Sequence, residues 1–258
     1  MIDIHCHVLF DADDGAQDIE TSIEMCKIAH DDGVKAIIAT PHFIMGENNE
    51  ENVLEKVNQL NEILKEKEID IKIFPGNEIF MDYHIEDNLS LGECYSLNNS
   101  RYALVEFPMM EVPKYSSDVL YELQIKGYVP VIAHPERNRT LQEKFELLYE
   151  FVATGCLVQM NSSSITGIHG DIVKKTALTF LRHNLVHFVA SDAHSAGRRS
   201  PLLSPSRSIV EEMLGTELAN DLYYINPNKV IRNEHITIKE PMPMKKKRMF
   251  QRLFSYVK

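Results

Sequence analysis

The chain has 258 residues, 44% of them hydrophobic and 25% charged, which excludes disordered, collagen-like and disulfide-dense classes and leaves enough apolar material for a core. Its length matches the roughly 250 residues of one α/β barrel, so one main domain is expected. A formal charge of −11 repels phosphate backbones and argues against a nucleic-acid partner.

No apolar run approaches the ~20 residues that span a bilayer. The opening M-I-D-I-H-C-H has no basic stretch leading into an apolar one, so no secretory signal is read and a cytoplasmic location is expected. Cys6, Cys26, Cys94 and Cys156 form no C-x-x-C pair, which argues for reduced, packed thiols.

In chain order, apolar and β-branched runs predict strands at Ile2–His7, Lys35–Thr40, Ile71–Phe74, Tyr102–Phe107, Val129–Ala133, Cys156–Met160 and Val186–Ala190. Helices are expected between most of them. Asp18–Asp32 places Ile19, Ile23, Cys26 and Ala29 on one face, and Gly33 follows as a stop. Val53–Leu64 repeats the pattern, and Ser117–Lys126 ends at Gly127. Thr140 with Glu143 reads as a capping box opening a helix that Gly155 ends. Alternating strands and helices require a parallel sheet, because parallel neighbours need a long crossover.

Polar residues favour a closed barrel over an open sheet. His5 and His7, two apart at the end of the first strand, leave one face, whereas Cys6 points to the other. Asp192 and His194 repeat the spacing after the last strand. Between them stand His42 in A-T-P-H, Glu78 in P-G-N-E-I, Glu106 in L-V-E-F-P and His134 in V-I-A-H-P, each where an apolar strand stops. Asp14, in the D-A-D-D-G turn, completes five histidines and four carboxylates. Barrel enzymes gather their chemistry on that rim. A single histidine at a strand end is ordinarily a structural residue, but nine donors at one set of ends point to metal ions. Nitrogen and oxygen donors without thiolate suit Mn, Fe(II) or Zn, and the donor set does not choose among them.

The segments I-D-I-H-C-H, D-D-G, A-T-P-H, P-G-N-E-I, L-V-E-F-P, I-A-H-P-E-R and V-A-S-D-A-H resemble, in order, the PHP (polymerase and histidinol phosphatase) superfamily. Within it they are most similar to the metal-dependent protein-tyrosine phosphatases of bacterial capsule and exopolysaccharide loci, over residues 1 to 226. The resemblance implies a distorted (β/α)7 TIM-like barrel holding three divalent ions, with Mn2+ the first expectation. His5, His7, Glu78 and Asp192 would hold one ion, Glu78 bridging to a second held also by Glu106 and His134. Asp14, His42 and His194 would hold a third. It further implies two arginines near the metals. Arg137 in H-P-E-R matches the first; S-A-G-R-R offers Arg198 or Arg199 for the second, with spacing from His194 favouring Arg199. Ser195 stands where Asn is common. A purely structural role for these arginines, as partners of Glu136 or nearby acids, is the alternative.

Charge arithmetic points the same way. Four carboxylates offset two divalent ions, whereas three ions leave a site cationic enough for a phosphate dianion. A water acidified by the ions toward a pKa of ~7 would be the nucleophile, with the arginines on the equatorial oxygens. No cysteine has an arginine six residues on, so no phosphocysteine is expected, and Cys6→Ser should leave turnover largely intact.

Residues 241–258 hold Lys245, Lys246, Lys247, Arg248, Arg252 and Lys258 and no acid, while the preceding 240 carry 21 bases against 38 acids. The chain therefore divides into a phosphatase domain, 1–240, and a basic amphipathic tail, 241–258. Residues 245–254 would contact anionic lipid at the inner face of the membrane, the bland alternative being a solvated tail. The expected substrate is phosphotyrosine on a cognate bacterial tyrosine kinase that governs polysaccharide synthesis. Competing readings are a phosphatase for a small phosphomonoester such as histidinol phosphate, a nuclease of the same superfamily, and a non-catalytic binding protein whose metals only hold the fold.

Overall fold

The computed structural model describes residues 1–46 and 52–243. Its strands are β1 (Ile2–Cys6), β2 (Ala36–Ala39), β3 (His42–Phe43), β4 (Lys72–Phe74), β5 (Glu78–Phe80), β6 (Tyr102–Glu106), β7 (Val129–Ala133), β8 (Leu157–Asn161) and β9 (Phe188–Ala190). One sheet runs β1-β2-β4 and the other β3-β5-β6-β7-β8-β9. Every pairing is parallel, as the helical crossovers require.

β2 and β3 are successive pieces of one path through the wall, as are β4 and β5. Pro41 and Pro75 interrupt the two paths because proline has no amide hydrogen for the ladder. Asn77 spans the gap: its Nδ2 donates to the carbonyl of Pro41 at 2.9 Å, beside the amide of Glu78 at 3.2 Å. The wall closes between β1 and the segment after β9. Cys6 bridges Ala193, the amide of Asp192 donates to the carbonyl of His5 at 2.8 Å, and that of His7 donates to Ala193 at 2.9 Å. The predicted (β/α)7 TIM-like barrel is therefore present, with all seven predicted strands. β3 and β5 were not anticipated, because two or three residues carry no readable period.

The distortion has a local cause in β1. Between Asp3 and Cys6 its register against β2 slips by one residue, a bulge that reverses which side chains face inward. Ile2 and Ile4 join the apolar floor with Ile38, Leu104, Val131 and Phe188. Past the bulge, His5 and His7 also face the interior, while Cys6 packs with Cys26 in the outer core. The buried carboxylate of Asp3 accepts from the amides of His5 at 3.3 Å and Ser191 at 3.0 Å, one within the irregular stretch of β1 and one just past β9.

The expected helices at Asp18–Asp32, Val53–Leu64 and Ser117–Lys126 form as Ile19–Asp31, Val53–Glu66 and Ser116–Ile125. The capping box at Thr140 does not form. Asn138 accepts from the amide of Leu141 at 3.0 Å instead, opening a short helix at Arg139–Glu143. Thr140, already inside that helix, donates to the carbonyl of Met110 at 3.3 Å. Lys144 then breaks the path before a second helix, Phe145–Ala153. Asparagine caps at least as well as threonine and stands two residues earlier, so it starts the helix.

Among the described residues, no helix is long and apolar enough to cross a membrane. The basic segment 245–254 lies outside the described residues.

Candidate metal centre

All nine predicted donors meet at the C-terminal mouth of the barrel. Glu78, which begins β5 and is almost wholly buried, is the hub. Its Oε2 lies 3.1 Å from Nε2 of His5, 3.2 Å from Nε2 of His7 and 3.2 Å from Nδ1 of His42. Its Oε1 lies 2.8 Å from Nε2 of His134, which is also 3.7 Å from Oε1 of Glu106. Asp192 Oδ1 stands 3.6 Å from Nε2 of both His5 and His7. On the outer side, Asp14 Oδ1 is 3.2 Å from Nε2 of His194 and 3.5 Å from Nε2 of His42.

Within these contacts, donor atoms cluster inside 4.8 Å as three overlapping groups: His5, His7, Glu78 and Asp192; His7, Asp14, His42 and His194; and His42, Glu78 and Glu106. The first coincides with the grouping implied by the resemblance. The second adds His7 to the expected trio. The third brings His42 to Glu78 and Glu106, which His134 meets from their other oxygens.

A second layer sets which imidazole nitrogen is free. His7 Nδ1 is 2.5 Å from Asp13 Oδ2, His5 Nδ1 is 3.0 Å from Gln159 Oε1, and His194 Nδ1 is 3.1 Å from the carbonyl of Asp192. In each pair the acceptor fixes the proton on Nδ1, so Nε2 presents a lone pair to the carboxylates, as in carboxylate–histidine–metal sites. Asp13 also accepts from the amides of His42 at 2.9 Å and Gly15 at 2.8 Å, tying the turn after β1 to the start of β3. Gly15 is required there: a Cβ would fall 2.3 Å from the carbonyl oxygen of His7.

β8 carries no predicted donor, yet it organises the mouth. Gln159 Oε1 accepts from the amide of His134 at 3.2 Å as well as from His5, and its Nε2 donates to Asn161 Oδ1 at 3.0 Å. Asn161 Nδ2 donates to Asp192 Oδ2 at 2.6 Å. Arg137 reaches the same oxygen at 2.7 Å, and Arg199 reaches Asp192 Oδ1 at 3.0 Å. The carbonyl of Arg199 accepts from the amides of His194 and Ser195 at 2.9 and 3.2 Å, so the loop curls back and carries its second arginine inward. His134 and Asp192 both adopt positive φ, 29° and 51°, a conformation that costs non-glycine residues of order 1–3 kcal/mol and collects at functional sites.

Electrostatics follow from crowding charge in a buried space. Burial raises the Glu78 carboxyl, but His5 and His134 outweigh it and hold the group well below the usual carboxylate range. Burial and the Glu78 charge push Glu106 up to about 7. Burial opposes a proton on His134, but its hydrogen bond to Glu78 wins and lifts it to about 9. Burial and the neighbouring His7 lower His194 to about 3.

The donors fit divalent metal ions. Glu78 Oε2 is buried with no hydrogen-bond partner in the protein although three ring nitrogens stand within 3.2 Å. That is a buried anionic oxygen facing three imidazoles, an arrangement that a metal cation stabilises once the rings give up their protons. Asp13 adds a fifth carboxylate to the four counted from sequence, and its pairing with His7 keeps it ionised despite burial. Three divalent ions would therefore leave +1 rather than +2, which increases the importance of the two arginines for an anionic substrate. The cysteines stay out of the chemistry: all are buried, and burial pushes Cys26, Cys94 and Cys156 up to about 12.

Sequence reading missed Asp13, Gln159 and Asn161. Asp13 has a signal, since D-A-D-D-G offers two adjacent acids and nothing in the turn's spacing separates Asp13 from Asp14. Gln159 and Asn161 had a weaker one: two polar amides, two apart, in an otherwise apolar strand.

Comparison with known proteins extends these findings. A family model described as capsular polysaccharide synthesis, CpsB/CapC, matches residues 1–232. The chain is 42% identical to the tyrosine-protein phosphatase YwqE of Bacillus subtilis, over 97% of this chain and 99% of that one. It is 35% identical to the tyrosine-protein phosphatase CpsB of Streptococcus pneumoniae, over 92% of this chain and 100% of that one. The crystal structure of YwqE, described together with CpsB as unique metal-dependent tyrosine phosphatases, superposes with a TM-score of 0.92 at 42% identity, covering 95% of this chain and 100% of that one. A histidinol phosphate phosphatase of Lactococcus lactis shares the fold alone, with a TM-score of 0.54 at 16% identity over 86% of this chain and 94% of that one.

Proposed function

This chain belongs to the capsular polysaccharide synthesis CpsB/CapC family, and from that premise we propose that it is a metal-dependent protein-tyrosine phosphatase. Its substrate is phosphotyrosine on a bacterial tyrosine kinase that controls capsule or exopolysaccharide synthesis. Residues 1–240 form the phosphatase domain, and residues 241–258 form a basic tail that brings it to anionic lipid at the cytoplasmic face of the membrane. The observation that carries the reading is the overlap of three donor groups, two of them sharing Glu78 and the third joined to them through His7 and His42, beside two arginines fixed on Asp192.

His5, His7, Asp14, His42, Glu78, Glu106, His134, Asp192 and His194 would hold three divalent ions, Mn2+ first among the candidates. When bound, the ions supply Lewis acidity and activate a water for attack on phosphorus. The protein's own groups do the rest. Arg137 and Arg199 each commit a terminal nitrogen to Asp192 and, with five N–H donors apiece, keep others for the equatorial phosphoryl oxygens. Asp13 and Gln159 hold the protons of His7 and His5 on Nδ1. The phosphorus–oxygen bond to the aryl group breaks as water adds. The phenolate, with an intrinsic pKa near ~10, leaves unprotonated without a dedicated acid and is then protonated by solvent, which balances the proton lost by the attacking water.

The test compares hydrolysis of a phosphotyrosine peptide with that of histidinol phosphate, with Mn2+ added and with chelator. Higher kcat/KM on the peptide, abolished by chelator, supports the reading. Preference for histidinol phosphate, or chelator-resistant turnover, overturns it. Vesicle co-sedimentation with and without residues 241–258 tests the tail, which must bind anionic lipid in a salt-sensitive way.

A further inference from the structure

Beside the metal centre lies a second concavity of about 190 Å³ that the phosphatase mechanism leaves unused. It opens between the short helix Ser162–Thr166 and the loop that follows Arg199. Asp192, Arg198 and Arg199 line it together with Ile168, Leu202 and Pro205, with hydroxyl side chains filling the remainder. We propose that this cavity is the subsite for the phenyl ring of the substrate phosphotyrosine, an inference that rests on the phosphatase reading above.

Three features select that occupant. The first is adjacency: Asp192 and Arg199 belong to the metal centre and to the cavity alike, so a phosphoryl group near them places its ester substituent toward the apolar walls. The second is size. The volume is below the roughly 300–1,000 Å³ of drug-sized sites, which leaves space for one flat ring and not for a folded peptide segment. The third is chemistry. Ile168 is 45% exposed and Leu202 38% exposed, which costs hydration at a mouth otherwise lined by charge and is offset when an aromatic ring covers them. Histidinol phosphate has a flat imidazole as well, but it would bring a cationic amine beside Arg198 and Arg199, and phosphoserine has no ring to place there.

Both walls are held before a substrate arrives. Ser162 Oγ donates to the carbonyl of Leu202 at 2.7 Å, and Ser163 Oγ is 2.9 Å from His169 Nε2. The amides of Leu203 and Ser204 donate to one oxygen of Asp32 at 2.7 and 2.8 Å. A preformed slot loses little ordering entropy on binding, so its shape can discriminate between substrates.

The experiment uses full-length, Mn2+-loaded protein with two variants at these partly exposed positions, Ile168→Ala/Leu202→Ala to open the slot and Leu202→Trp to obstruct it. Four quantities are read: kcat/KM on a phosphotyrosine peptide, kcat/KM on glycerol phosphate, and calorimetric affinities for inorganic phosphate and for a peptide bearing the non-hydrolysable phosphonomethyl-phenylalanine. In either variant, tenfold or greater losses on the phosphotyrosine peptide and the phosphonate peptide, with glycerol phosphate and inorganic phosphate changed less than twofold, are expected. Uniform losses across all four, or variants that keep the wild-type preference for phosphotyrosine, overturn the subsite alone. A wild-type enzyme that prefers glycerol phosphate overturns the tyrosine phosphatase reading, and the subsite with it.

Discussion

The side-chain carbonyl of Gln159 accepts from His5 Nδ1 at 3.0 Å and from the amide of His134 at 3.2 Å, so one amide on β8 orients the His5 ring and fixes the backbone of His134. Replacing it by leucine keeps the volume and removes the acceptor. Gln159→Leu should lower Mn2+ affinity by 10- to 100-fold, the usual effect of losing such a partner. Calorimetric titration of metal-free protein checks this, with circular dichroism to confirm the fold; unchanged affinity would show that His5 needs no orienting group.

Gly15 is fixed by space and not by φ, because a Cβ would lie 2.3 Å from the His7 carbonyl oxygen and 2.6 Å from the His7 Cβ. Gly15→Ala must push the Asp13–Gly15 turn off β1. A loss of about 1–3 kcal/mol is expected from such overpacking, together with weaker metal binding. Urea denaturation of the metal-free protein reads the first effect apart from the second.

Arg199, not Arg198, holds Asp192. Arg199→Ala should therefore reduce kcat/KM on a phosphotyrosine peptide by on the order of 10²–10³, the range for removing a donor that faces developing charge. Arg198→Ala should cost at least tenfold less. Equal losses would mean that both act, or that the loop only folds as a unit.

His187 supplies a pH dependence remote from the donors. Its ring is buried, accepts the amide of Val158 on Nδ1 at 3.0 Å, and is lowered by burial to about 3. Unfolded, it titrates near the ordinary ~6.5. The unfolded chain thus binds the extra proton between those values. The stabilisation is complete above pH ~6.5 and is lost as pH falls toward 3, by up to about 1.4 kcal/mol per unit. His187→Asn should flatten the slope of unfolding free energy against pH between 4 and 6.5 relative to wild type; parallel slopes would count against a neutral buried ring.

Removing metal should destabilise as well as inactivate, because Glu78, Asp192 and His5 are left as a buried cluster without its counter-ions. A chelator is expected to lower Tm, and returned Mn2+ to restore it in a concentration-dependent way. Thermal unfolding at several Mn2+ concentrations decides this, and an unmoved midpoint would separate the ions from the fold.

The seven strands and the meeting of nine histidines and acids at one mouth were readable because both rest on local signals: apolar runs that stop, and a histidine or acid where they stop. The second layer was harder. Nothing in the residues around Gln159 says that its amide meets a histidine more than 150 positions earlier, since that meeting exists only once the barrel has closed. Thr140 shows a different limit. T-x-x-E is a sound cap pattern, yet Asn138 two residues earlier completed a better one, and choosing between them required the path of the preceding Pro135–Arg137 turn. The partition of His42 among donor groups likewise depends on a side-chain torsion that spacing does not encode.

The slip in β1 makes the first seven residues act as two strands of opposite parity spliced together. A designer copying H-x-H onto a regular barrel strand behind the same Ile2 and Ile4 would send both histidines outward. Transplanting this chemistry therefore means carrying the irregularity and its Asp3 anchor along with the ligands.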